Sequence, residues 1–292
     1  MTGVFFVHKP QQMTSFACCA VCRRLSGEKR VGHAGTLDPM ATGVLPVFLG
    51  RATRLIPHLP DHTKTYAATL RFGATSDTLD GWGTVTETGA ALPTREDVLR
   101  ALPAFRGEIL QVPPMMSACH YNGQRLYDLA RAGVEVERTA RPITVYTLEL
   151  TAFDPAAGTA SLLCRCSQGT YIRTLCDDLG RALGCGAVMT GLQRVRAAGI
   201  DLADCLTPEQ LRARAEAGEL MQMLHPADAL LTAYPAVPVT PAQAVRFSNG
   251  GGLFLSRLPL PVTGTARVYA PDGRFLGLGR AEEKELKALV VL

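Results

Sequence analysis

At 292 residues, 47% hydrophobic and 19% charged, the chain is long enough for one large domain or two smaller ones with a sizeable core. No apolar run approaches the roughly eighteen residues of a membrane span, and residues 1–12 lack the basic-then-apolar pattern of a secretory leader, so the expectation is a cytoplasmic protein. The net charge of +4 is unevenly spread: Lys9, Arg23, Arg24, Lys29, Arg30, Arg51 and Arg54 face only Glu28 and Asp38 in the first part of the chain, which suits an anionic partner.

Residues 3–8 read as a short strand, and Thr14 or Ser15 caps a helix that runs to Ser26-Gly27. Cys18, Val21, Cys22 and Leu25 share one face of that helix. The Cys19-x-x-Cys22 pair has no second cysteine pair at zinc-ligand spacing, so these thiols read as small core residues, and no metal is expected. Residues 29–50, rich in Gly, Pro and Thr, form a long ordered loop or two short strands, and such loops usually carry function. A short helix starts at Ala52 and breaks near Pro57.

Residues 64–73 alternate Tyr66, Ala68, Leu70 and Phe72 onto one strand face, and residues 83–88 make a further strand. Thr94 with Asp97 opens a helix, Asn122-Gly123 makes a turn before a helix over 124–132, and residues 142–153 and 159–167 form a hairpin. Gly169-Thr170 leads into a helix whose apolar face is Ile172, Leu175, Cys176, Leu179 and Leu183. After Leu231 a proline-rich passage introduces short strands with glycine turns, a small β-rich domain from about residue 236.

The chemistry concentrates in Arg30-Val-Gly-His-Ala-Gly-Thr-Leu-Asp-Pro-Met-Ala-Thr-Gly-Val-Leu-Pro46. A lone Asp38 sits between Leu37 and Pro39, in a loop whose glycines let backbone or nucleotide come close. A carboxylate there serves as nucleophile or general base, while an isolated Asp-Pro equally fits an ordinary turn. Read alone, Tyr66, Tyr171 and Leu192 fit packing, His33 fits solvent, and Arg173 fits an ion pair with Asp177 four positions on.

This segment resembles the catalytic motif of the TruB family of tRNA pseudouridine synthases. Further matches follow in the family's order: Lys9-Pro10 with Met13-Thr14-Ser15, Lys64-Thr65-Tyr66, Arg141-Pro-Ile-Thr-Val-Tyr146, and Cys166-Ser-Gln-Gly-Thr-Tyr-Ile-Arg-Thr174. One departure is visible, since the family usually has glycine where this chain has Gln12. The resemblance implies that Asp38 is the catalytic aspartate, Tyr66 stacks on the target base and Arg173 pairs with the Asp38 carboxylate. It further implies that Tyr171 and Leu192 line the uracil pocket and His33 fills the place the flipped nucleotide leaves.

The implied reaction breaks the N1–C1′ bond of a uridine, turns the base and rejoins it through C5. Nothing is oxidised and no phosphate moves, so no cofactor is expected. The implied fold is α+β, a mixed, mainly antiparallel sheet with flanking helices, with a catalytic domain over 1–235 and a small PUA-like RNA-binding domain over 236–292. The expected substrate is the T-arm of tRNA at uridine-55, handled by a monomer without an obligatory protein partner. Two rivals stand beside this reading: a non-catalytic RNA-binding or RNA-folding protein on the same scaffold, and a guide-RNA-dependent relative.

Overall fold

The computed structural model describes residues 1–117, 120–121 and 123–292, the side chains of His120, Tyr121, Arg125 and Arg131 excepted; part of the expected turn at Asn122-Gly123 therefore lies outside the described residues. The chain divides into two units. The first comprises Met1–Pro39, Val44–Asp61 and Ala198–Leu292; the second comprises Met40–Gly43 and His62–Ala197. Among the described residues no helix is long and apolar enough to cross a membrane.

The first unit opens with β1 (Gly3–Lys9), α1 (Ser15–Ser26), β2 (Val31–His33) and β3 (Thr42–Leu49), whose first two residues belong to the second unit. The Thr14 hydroxyl accepts the Ala17 N–H at 3.0 Å, and Gly27 closes α1 in the left-handed conformation, so α1 starts and stops where its sequence signals stand. Its cysteines face inward as expected: Cys18, Cys19 and Cys22 pack with Phe5, Val7, Leu45, Val47 and Leu49. Burial pushes the Cys22 thiol up to about 12, which marks it as packing material. The expected long loop contains both β2 and β3, paired antiparallel. The helix expected from Ala52 is a 3₁₀ helix, Gly50–His58, that runs through Pro57 without breaking. Proline's fixed φ lies within the 3₁₀ range, so a proline late in so tight a helix is compatible with it.

The second unit holds β4 (Lys64–Phe72), β5 (Ala74–Ser76), β6 (Val85–Glu87), α2 (Arg95–Ala101), β7 (Gly107–Gln111), β8 (His120–Tyr121), β9 (Gln124–Arg125) and α3 (Leu126–Arg131). It continues through β10 (Arg141–Asp154), β11 (Thr159–Cys166), α4 (Ile172–Ala182) and β12 (Ala187–Ala197). The expected β10–β11 hairpin is present, as is the capping box of Thr94 and Asp97 on α2. The sheet order is β12-β4-β11-β10-β7 with antiparallel neighbours, and α4 packs against β12 and β4. The start of β3 joins β12 in parallel, with Thr42 opposite Gln193 and Gly43 opposite Arg194. A Cβ on Gly43 would stand 2.2 Å from the Arg194 carbonyl oxygen, so only glycine permits this approach.

The first unit resumes with β13 (Ile200–Asp201) and α5 (Pro208–Glu216), and then a five-stranded sheet. That sheet contains β14 (Ala236–Pro238), β15 (Leu253–Phe254), β16 (Thr265–Tyr269), β17 (Phe275–Glu282) and β18 (Glu285–Val291), in the order β14-β16-β17-β18-β15, and α6 (Pro241–Ser248) accompanies it. Mixed sheets with flanking helices give the α+β class read from the sequence.

Candidate active site

Asp38 and His33 stand in the first unit, on the connection from β2 to β3. His33 ends β2 opposite Val47, and both His33 and Asp38 are half-buried. The loop around Asp38 is held from both flanks. On one side the Ser15 hydroxyl accepts the Leu37 N–H at 2.9 Å and donates to the Leu37 carbonyl at 3.1 Å. On the other, the Lys9 ammonium donates to the carbonyls of Pro39 at 3.0 Å, Pro10 at 2.9 Å and Met13 at 2.6 Å. Lys9 is fully buried, so its charge is solvated by carbonyl dipoles rather than water. Lys9 and Ser15 of these motifs therefore act on the loop's backbone, a role the sequence alone did not disclose. Gln12, the departure from the family pattern, has φ of 63°, the left-handed conformation that glycine adopts freely.

The second unit holds Tyr66, Tyr171, Arg173 and Leu192. Tyr66 on β4 lies opposite Arg194 of β12, and Ala68 lies opposite Leu192. Because opposed residues share a face and side chains alternate, Tyr66, Leu192 and Arg194 all point to one side of the sheet. Tyr66 is buried, and Arg194 has no solvent exposure at all. Neither β12 nor the buried Arg194 is evident from sequence alternation.

Arg173 occupies the first turn of α4 and is buried. It forms an ion pair with Asp80 at 3.7 Å and donates to the Met116 carbonyl at 2.6 Å. The plain surface pair with Asp177 does not form: Asp177 instead meets Arg181 at 2.8 Å, and burial holds its carboxyl above the ordinary range. Asp80, the partner of Arg173, is a residue that sequence reading missed. Its carboxylate accepts from the Thr78 hydroxyl at 2.6 Å and the Trp82 N–H at 3.1 Å, and the preceding Leu79 has φ of 65°. A non-glycine residue in that conformation beside a buried carboxylate marks a backbone held against its preference.

Tyr171 is positioned through its backbone: the Gln111 side chain accepts its N–H at 2.8 Å and donates to its carbonyl at 3.1 Å. Two motifs are stitched together nearby, as Ser167 donates its N–H to the Thr144 carbonyl at 2.8 Å and its hydroxyl accepts the Thr144 N–H at 2.9 Å. This fixes the turn that launches α4 and Arg173. Among the described residues no group of three or more His, Cys, Asp or Glu is placed to hold a metal ion.

A family model described as the N-terminal domain of TruB family pseudouridylate synthase matches residues 23–172; models for the tRNA pseudouridylate synthase B C-terminal domain and the C terminus of tRNA pseudouridine synthase II match 173–232 and 234–292. A tRNA pseudouridine synthase B of Dechloromonas aromatica is 43% identical over 277 residues, covering 95% of this chain and 90% of the relative. One from Clostridium kluyveri is 37% identical over 291 residues, covering 98% of each. A crystal structure of a Cbf5-Nop10-Gar1 complex matches with TM-score 0.74 and 23% identity, covering 99% of this chain and 84% of the other, a likeness of fold.

Proposed function

Because the chain belongs to the TruB family of pseudouridine synthases, we propose that it converts uridine-55 in the TΨC loop of tRNA to pseudouridine, with Asp38 as the catalytic carboxylate. The chain is an isomerase by family, and its relatives carry the name of tRNA pseudouridine synthase B over nearly their whole length.

The observation that carries the role of Asp38 is its loop, braced on one flank by Ser15 and on the other by a buried Lys9, while the side chain stays half-buried. In the proposed reaction the N1–C1′ bond breaks, C5–C1′ forms, the C5 proton departs and N1 gains one. Arg173 pairs with the Asp38 carboxylate. Tyr66 stacks on the uracil, Tyr171 and Leu192 enclose it, and His33 occupies the gap left in the T-loop. A stacked base is out of reach, so the uridine flips out at a cost of a few kcal/mol. Stacking on an aromatic ring returns roughly 1–3 kcal/mol. Only a folded loop gains every contact, which favours tRNA over free uridine.

The test is tritium release from tRNA labelled at uracil C5. Asp38→Asn is expected to lower the rate by at least about 10³-fold while tRNA binding persists. Normal turnover by that variant would refute the assignment. The stand-alone reading is favoured over a guide-RNA-dependent one by relatives whose names specify tRNA, and it expects the purified monomer to modify bare T-arm RNA without a protein partner.

A further inference from the structure

The 3₁₀ helix Gly50–His58 is in contact with several other parts of the first unit, among them β1, whose Val4 shares a core with Leu55. On one side lies β2: a Cβ on Gly32 would meet Ile56 Cδ1 at 3.4 Å and Thr53 Cγ2 at 3.7 Å, so this strand rests directly on the helix. On another lies the C-terminal sheet. The Arg54 guanidinium donates to the Val291 carbonyl at 2.7 Å, and the Tyr234 hydroxyl donates to the His58 carbonyl at 3.0 Å. Leu55 is fully buried in one core with Phe48, Leu278 and Val290, and Ile56 packs against that core.

Tyr234 is itself fixed. Arg267 Nε donates to its carbonyl at 3.0 Å, and Arg267 Nη1 bonds the Tyr269 hydroxyl at 2.9 Å and pairs with Asp228 at 3.4 Å. The Tyr269 hydroxyl donates to the same Asp228 carboxylate. A half-buried, mutually bonded set of this kind holds geometry rather than adding much stability. The helix is thus tied near its middle and at its C-terminal end to the C-terminal sheet, and it also contacts the strand that ends in His33.

We propose that Arg54 and Tyr234 are positioning residues: through the 3₁₀ helix they make the C-terminal sheet a fixed support for β2, and so set where His33 meets the RNA. The part concerning RNA rests on the role proposed for His33. A sheet merely appended to add RNA contacts would need no bonds to the helix that carries β2.

The test uses the full chain with Tyr234→Phe, Arg54→Met and both together. Each change removes one donor and keeps most of the side-chain volume. In the double variant the amides of β2 are expected to exchange with solvent about tenfold faster, while those of β10 and β11 keep their protection. Single-turnover conversion of saturating tRNA is expected to fall about fivefold with His33 present and less than about twofold in a His33→Ala background. Unchanged exchange in β2, exchange rising equally in β10 and β11, or the same loss of rate in both backgrounds would overturn the proposal. Failure of the unsubstituted chain to form pseudouridine would overturn the functional reading instead, and the exchange result would then decide the support role by itself.

Discussion

The loop around Asp38 and the sheet face around Tyr66 solve the same problem by opposite means. Tyr66, Leu192 and Arg194 sit on paired strands, where ladder register between the two bulges of β12 fixes which side each faces. Asp38 sits on irregular backbone with no ladder of its own, and its neighbours are held by two side chains from β1 and the start of α1. Precision from a ladder is distributed over many weak bonds, so any single one is expendable. Precision from Lys9 and Ser15 is concentrated in a few bonds, so each is costly to lose. The first unit should therefore show large effects from conservative changes well away from the carboxylate itself.

The largest stability effect is expected in the second unit, at a concentrated feature of its own. Arg173→Met strands the buried Asp80 carboxylate and should cost about 3–5 kcal/mol in urea unfolding. A loss under 1 kcal/mol would show that the Asp80 pair is slack. Next, Lys9→Met leaves three carbonyls without their donor and should cost about 3 kcal/mol, and Ser15→Ala about 2 kcal/mol. Both variants should also lower kcat with little change in KM, because they loosen the loop and not the RNA surface. A change in KM alone would sever the proposed link to Asp38. Gln12→Gly should raise stability by up to about 1 kcal/mol, since the left-handed backbone is retained and its strain removed. No gain, or a loss, would mean the Gln12 side chain makes up for its backbone.

The smallest effect concerns acid. Burial lowers the pKa of His225, whose ring stacks on Phe6 with centroids 3.8 Å apart, and burial likewise lowers that of His58. A histidine that is harder to protonate when folded takes up its proton more readily in the unfolded chain. Stability should thus hold above the unfolded pKa and decline as pH falls through it, in the window near pH 6.5 and below. His225→Phe should flatten that decline in a pH series of thermal melts. An unaltered slope would assign it to other groups.

Much of this architecture was legible in the residues, and the failures have physical reasons. Helix α1 carried its own start and stop signals in Thr14 and Gly27, and β4 alternated cleanly from Tyr66 to Phe72. Strand β12 escaped because register shifts near Thr190 and Val195 break its alternation, and because Arg194, a residue type that normally signals solvent, is fully buried. Asp80 escaped because Thr78-Leu-Asp-Gly81 reads as an ordinary turn. Its importance comes from Arg173, far away in sequence. The resemblance marked Lys9 and Ser15 as motif residues, but only coordinates show that they act through the carbonyls and amide beside Asp38. The Gln12 departure, suspicious in sequence, turns out to occupy the backbone conformation that glycine prefers.

The most direct test of the whole account is to map pseudouridine, nucleotide by nucleotide, in unmodified tRNA incubated with the purified chain. The account predicts a single new pseudouridine, at the T-loop uridine, absent when Asp38→Asn replaces the enzyme. Pseudouridine at another position, or none at all from a folded and tRNA-binding protein, would contradict it.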